Sequence, residues 1–84
     1  MPVIARFRGI ILRMYQRQKE HNPPHIHTQY GRTVGLFSLE NGEMFEGDLD
    51  KKMRSFVTNF IIYYKEPLIE MWETQEFAAL QPIE

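Results

Sequence analysis

All three histidines of the 84-residue chain lie within one segment, His21-Asn22-Pro23-Pro24-His25-Ile26-His27. If a strand begins at His25, the side chains of His25 and His27 point to the same face, with Cα atoms about 6.6 Å apart, because successive residues alternate. The two prolines have fixed φ angles and push the residues before them toward extended conformations, so the approach to His25 is stiff. Two imidazoles held in this way could reach one phosphate group or one metal ion.

General acid–base catalysis is the first chemistry that these residues suggest. One histidine would take a proton and another would return it near neutral pH, as in metal-independent cleavage of RNA. The candidate catalytic residues are His21, His25 and His27. Nearby side chains could neutralise or hold a phosphate substrate, and these are Arg13, Arg17, Lys19 and Arg32, with Tyr30 as a further candidate for substrate binding.

A metal site is the second interpretation of the same histidines. His21, His25 and His27, with Glu20 as a further ligand, could bind zinc, which accepts imidazole nitrogen. The spacing of His21 and His25 falls on a loop broken by proline, so it lacks the helical i, i+4 geometry of many zinc pairs. Outside this interpretation we expect no cofactor.

The third interpretation involves no chemistry. The histidines would be surface or interface groups that bond to backbone, and the prolines would only shape a loop. The segment would then serve as a non-enzymatic surface that docks a partner protein. The sequence leaves the three interpretations open.

Composition indicates one folded domain, residues 1–84, in a reducing compartment. The chain is 43% hydrophobic and 25% charged, as globular domains are, and it has no cysteine for disulfides or thiolate metal sites. Its start lacks the pattern of a signal peptide, and its longest apolar or aromatic run, Phe60 to Tyr64, is too short to span a bilayer. We therefore expect a cytoplasmic protein with no membrane role.

Charge is distributed unevenly along the chain. Residues 1–32 carry six Lys or Arg against Glu20 alone, a net charge of +5, whereas residues 33–84 carry four against ten acids, a net charge of −6. A basic half can attract RNA or an acidic partner, because fields depend on local charge. Solvated strand faces would give the same pattern.

The first half of the chain predicts strands. Val3 to Arg17 interleaves apolar and basic residues, and Gly9 divides it into two strand segments. Gln16 to Pro24 is a loop, and Ile26 to Tyr30 is a short strand. After a turn at Gly31-Arg32, further strands are predicted over Thr33 to Leu39 and Glu43 to Gly47, joined by a hairpin at Asn41-Gly42.

The second half predicts helices. Met53, Phe56, Val57, Phe60, Ile61 and Tyr64 recur with the period of one helical face, and Asp48 or Asp50 can cap its start. Pro67 either kinks this helix or opens a second one, with Leu68, Ile69 and Trp72 facing inward. The fold class is therefore α+β, with an antiparallel sheet of four or five strands and a C-terminal helical hairpin or kinked helix on one face.

The sequence resembles the bacterial family known as domain of unknown function 4160, over nearly the whole chain. The residues that carry this resemblance are Ile4 to Tyr15, His21 to His27, Tyr30-Gly31, Glu46-Gly47 and Trp72-Glu73. The chain departs from the family pattern at Ile26, where an aromatic is usual, and at Asp50-Lys51. Ile26 should point away from the histidines, so this departure concerns packing. The resemblance implies a toxin–antitoxin-type gene product with a small partner protein, and it supplies no assigned activity.

Together these observations favour a toxin–antitoxin-like module whose histidine segment acts on RNA or another phosphate substrate. The alternatives are a non-enzymatic module that docks a partner through its basic, histidine-rich face, and a small metal-binding domain. The methionine-containing core is compatible with a homodimer.

Overall fold

The protein forms one antiparallel sheet followed by two helices. The computed structural model describes residues 3–14 and 24–81. Its strands follow one another across the sheet in chain order. They are β1 (Val3–Phe7), β2 (Ile10–Arg13), β3 (His25–Tyr30), β4 (Thr33–Ser38) and β5 (Met44–Gly47). The α+β class and the antiparallel sheet are confirmed, and the sheet has five strands.

Helices α1 (Lys51–Tyr63) and α2 (Lys65–Thr74) are separated by Tyr64 alone. The predicted cap at Asp50 is confirmed, because its carboxylate accepts a hydrogen bond from the Met53 amide at 2.9 Å. Pro67 is the third residue of α2 rather than the first. It is tolerated there because the amide groups of a first helical turn have no partner within the helix.

The core lies between one sheet face and the helices. Fully buried residues from the strands, including Ile10, Ile26 and Phe37, belong to the same apolar cluster as residues of both helices. The rings of Phe7 and Phe60 stack at 5.2 Å and join β1 to α1. Leu68 and Trp72 of α2 are also buried in this cluster, as the helical spacing predicts.

The two edges of the sheet differ. The chain after α2 returns to the first edge, where the Leu80 amide donates a hydrogen bond to the Ile4 carbonyl at 2.7 Å. The other edge is β5, which approaches β4 so closely that a Cβ on Gly47 would collide with the Val34 carbonyl oxygen. Gly47 also has φ +124°, which L side chains rarely adopt.

The sequence-based boundaries agree with these strands to within one or two residues where they can be compared. The predicted loop over Gln16 to Pro24 lies outside the described residues except at Pro24. The connection from β4 to β5 is longer than a two-residue hairpin, and the Ser38 amide bonds to the Glu43 carbonyl at 2.9 Å across it. The Ile26 side chain is fully buried, on the face opposite the histidines, as predicted.

Neither described helix could cross a membrane, since α1 has 13 residues and α2 has 10.

Replacing Gly47 with alanine should lower the free energy of unfolding by at least about 3 kcal/mol, because backbone strain and a collision with β4 add together. Gly31→Ala is the matched control. Gly31 also has a positive φ, but a Cβ there would meet nothing within 4 Å. Gly31→Ala should therefore lower the free energy of unfolding by only about 1 kcal/mol. Chemical denaturation followed by circular dichroism measures the free energy of unfolding of both variants. Equal losses in the two variants would contradict the close approach of β5 to β4 at Gly47.

Candidate functional site

Alternation along β3 separates its side chains into two sets. Ile26 and Thr28 are buried toward the helices, and His25, His27 and Gln29 are half-buried on the opposite side. Strand pairing adds residues of β2, β4 and β5 to that side. We call this surface the histidine face, and its members are Arg13, His25, His27, Gln29, Leu36 and Glu46.

The two histidines of β3 lie side by side. Their ring centroids are 5.2 Å apart, and the ring planes are inclined at 53°. The ring of His25 also lies 5.1 Å from Trp72 of α2 and 6.2 Å from Phe45 of β5. Because His25 is held between two aromatic side chains from different elements, packing restricts the motion of its imidazole.

A transverse row of side chains crosses the histidine face at His27. Arg13 is the register partner of His27 on one side, Leu36 is its partner on the other, and Glu46 pairs with Leu36. The Arg13 guanidinium donates a hydrogen bond to the Gln29 side-chain oxygen at 2.7 Å, which fixes its orientation beside His27. A pocket of about 340 Å³ lies over this row.

Burial lowers the pKa of His27 below its ordinary value of 6.5, and the neighbouring His25 lowers it further. Burial acts because it removes hydration from the charged imidazolium, and His25 acts because two positive charges would repel. Both effects favour the neutral form of the His27 imidazole at pH 7.

Three of the residues predicted to form a site come together, namely Arg13, His25 and His27. Tyr30 lies apart from them, because it pairs with the buried residue Ile10 and its ring packs near Gly9 on the opposite side of β3. His21 and Arg17 lie outside the described residues, so their predicted roles stay predictions. The same holds for Lys19 and Glu20.

Within residues 3–14 and 24–81, no three His, Cys, Asp or Glu side chains are grouped so that they could hold a metal ion. His25 and His27 could supply two nitrogen ligands, and zinc sites use three or four protein ligands. The zinc interpretation therefore requires a further ligand from outside the described residues, such as the predicted His21 or Glu20.

Sequence reasoning missed Glu46, a member of the histidine face, and the two aromatic neighbours of His25. Trp72 was assigned to the core, and it is buried, yet it also contacts His25. Phe45 and Glu46 were assigned only to a returning strand, and their positions depend on a β-bulge opposite Leu36. A bulge leaves no periodic signal in a four-residue strand, so no sequence pattern could have revealed these neighbours.

The fold and this surface define a class of small α+β domain, in which a five-stranded meander carries a histidine pair on the side of β3 opposite the buried Ile26. Residues 9–73 match the family model described as Domain of unknown function (DUF4160), and the chain belongs to that family. The predicted resemblance to this family is thus confirmed over most of the chain. Comparison with curated proteins and with solved structures finds no match.

Replacing His27 with glutamine should weaken the dependence of stability on pH. Because the pKa of His27 is lowered in the folded state, the unfolded chain binds a proton below pH 6.5 that the folded chain does not. The contribution of His27 to the stability is therefore fully present above pH 6.5 and is lost as the pH falls below that value. His27→Gln should therefore lose less free energy of unfolding between about pH 7.5 and about pH 5 than the parent protein does.

Urea denaturation followed by the fluorescence of Trp72 measures this difference. His25→Gln is the control, because it leaves the larger cause, the burial of His27, in place and should retain most of the pH dependence. If His27→Gln and the parent lost equal stability on acidification, the lowered pKa would be contradicted.

Proposed function

We propose that the protein cleaves RNA at the histidine face, as the enzymatic component of a toxin–antitoxin-like module acting in the cytoplasm. The observation that carries the proposal is the juxtaposition of two imidazoles, with ring centroids 5.2 Å apart, beside the Arg13 guanidinium. Two histidines can serve as general base and general acid, and one arginine can stabilise the developing charge, so these side chains could transfer a phosphoryl group without a metal ion.

His27 would act as the general base. Its lowered pKa favours the neutral form at pH 7, so it can take the proton from a ribose 2′-hydroxyl as that oxygen attacks the adjacent phosphorus. His25 would act as the general acid and give a proton to the departing 5′-oxygen. The bond from phosphorus to the 5′-oxygen breaks as the bond to the 2′-oxygen forms, and the products are a 2′,3′-cyclic phosphate and a 5′-hydroxyl end.

Arg13 would stabilise the charge that develops on the non-bridging phosphate oxygens. Its hydrogen bond to Gln29 holds the guanidinium in place, so little reorganisation is needed when the substrate binds. The pocket of about 340 Å³ beside it lies at the lower end of the range found for small-ligand sites, roughly 300–1,000 Å³. One nucleotide is therefore a suitable occupant.

A second candidate function is docking of a partner protein without catalysis. The observation that favours it is the exposed apolar surface near the histidines, since Val34 is 57% exposed and Phe45 is 52% exposed. Exposed apolar groups rimmed by polar ones are frequent at protein interfaces. A small partner that covers this surface would also block access of RNA to the histidine pair, as an antitoxin would.

Replacing either histidine with alanine should abolish RNA cleavage. General acid–base catalysis contributes a factor of about 10²–10⁴, so His25→Ala and His27→Ala should each lower the rate at least about 100-fold. The measurement is cleavage of a fluorescent RNA oligonucleotide by untagged protein, with the cyclic phosphate product identified by mass spectrometry. Growth arrest on expression should be relieved by the same changes.

Arg13→Gln and Arg54→Gln form a matched pair, because each removes one positive charge. Arg54 is an exposed residue of α1 and lies away from the histidine face. We expect Arg13→Gln to lower the cleavage rate at least about tenfold and Arg54→Gln to leave it unchanged. Undiminished cleavage by both histidine variants would rule the enzymatic proposal out, and partner binding by a protein without activity would favour docking.

A further inference from the structure

The bulge in β5 brings two side chains to the histidine face. Leu36 pairs with Glu46 and Phe37 pairs with Met44, so Phe45 is an extra residue between two paired positions. Bulges commonly redirect a side chain next to a functional site. Here the ring of Phe45 stands edge-on to that of His25, with centroids 6.2 Å apart and planes at 85°.

The ring of Phe45 is largely exposed to solvent. The side chain is 52% exposed, although it borders the histidine pair and the next residue, Glu46, lines the pocket. The exposed ring can stack with a planar group, and stacking of a nucleobase on an aromatic side chain is a general means of binding single strands. Tyr63 is exposed as well, at 66%, but it lies on α1 with no histidine, arginine or pocket beside it among the described contacts.

Glu46, the residue after Phe45, lines the pocket and supplies a hydrogen-bond acceptor there. It lies two strands away from His27 in the transverse row. Since neighbouring strands are about 4.8 Å apart, the two residues are separated by about 10 Å. A nucleotide with its phosphate at Arg13 and His27 could extend its base over this distance. In the part of the chain that the structure describes, no hydrogen bond or ion pair engages the Glu46 carboxylate.

We propose that Phe45 and Glu46 form a nucleobase subsite that selects guanine in single-stranded RNA. The base stacks on the open face of Phe45, and its N1–H and 2-amino groups donate to the two oxygens of Glu46. A carboxylate only accepts hydrogen bonds, and guanine is the base that presents two adjacent donors on its Watson–Crick edge. This inference rests on the proposed function, since it names the substrate class of the same face.

Binding can be tested without cleavage. The probes are fluorescein-labelled 2′-O-methyl oligonucleotides of about ten nucleotides, one with a single guanosine among uridines and one with inosine in its place. Inosine lacks the 2-amino group, and the 2′-O-methyl group prevents attack on phosphorus. Fluorescence anisotropy should show that the parent protein prefers the guanosine oligonucleotide at least about fivefold.

Phe45→Ala should weaken binding of the guanosine oligonucleotide at least about fivefold, because one base–aromatic stack is lost. Phe45→Tyr keeps an aromatic ring and should retain the affinity of the parent protein. Tyr63→Ala is the matched control, which removes another exposed aromatic ring away from the histidine face and should leave the affinity unchanged. Glu46→Gln should abolish the preference for guanosine over inosine. Equal binding by Phe45→Ala and the parent would overturn the subsite, and so would equal affinity of the parent for both oligonucleotides.

The two proposals fail separately in this design. If Phe45-dependent, guanosine-selective binding is found but cleavable RNA stays intact, the subsite stands and the catalytic proposal is lost. If RNA is cleaved at a rate that Phe45→Ala and Glu46→Gln do not alter, the catalytic proposal stands and the subsite is overturned.

Discussion

One-sided burial of the central strand is the constraint on which the rest of the molecule depends. Ile26 must lie against the helices with Phe37, and both are fully buried. Since side chains of a strand alternate, a shift of one residue would expose them and bury two histidines instead. The free energy of burying the apolar core therefore fixes which face carries His25 and His27 and which residues of neighbouring strands lie beside them.

The same core also supports the histidine pair directly. Trp72 belongs to the buried cluster, and its ring lies 5.1 Å from His25. Arg13 extends from the strand on the other side and is oriented by Gln29. Because β3 is the middle strand and is paired along both edges, His25 and His27 project from backbone that is hydrogen-bonded to a neighbouring strand on each side. A site built there needs little ordering when a ligand arrives.

Much of this architecture follows from periodicity in the sequence. The face of α1 and the shared side of His25 and His27 depend only on local repeats of 3.6 and 2 residues. The neighbours of the histidines depend on long-range register instead. Phe45 reaches the histidine face because of a bulge, and Trp72 reaches it because α2 returns to the sheet. Neither follows from a local pattern, so residue spacing could identify the histidine pair but not the aromatic side chains around it.

The order of the strands affects how the chain reaches its fold. Every strand pairs with its neighbour in sequence, so the sheet can grow by adding one hairpin at a time, with no crossover between distant segments. Proteins dominated by such local pairings fold faster than those that must first close long loops. The bond from Leu80 to Ile4 joins opposite ends of the chain, and because it closes the longest loop it belongs among the last steps of assembly.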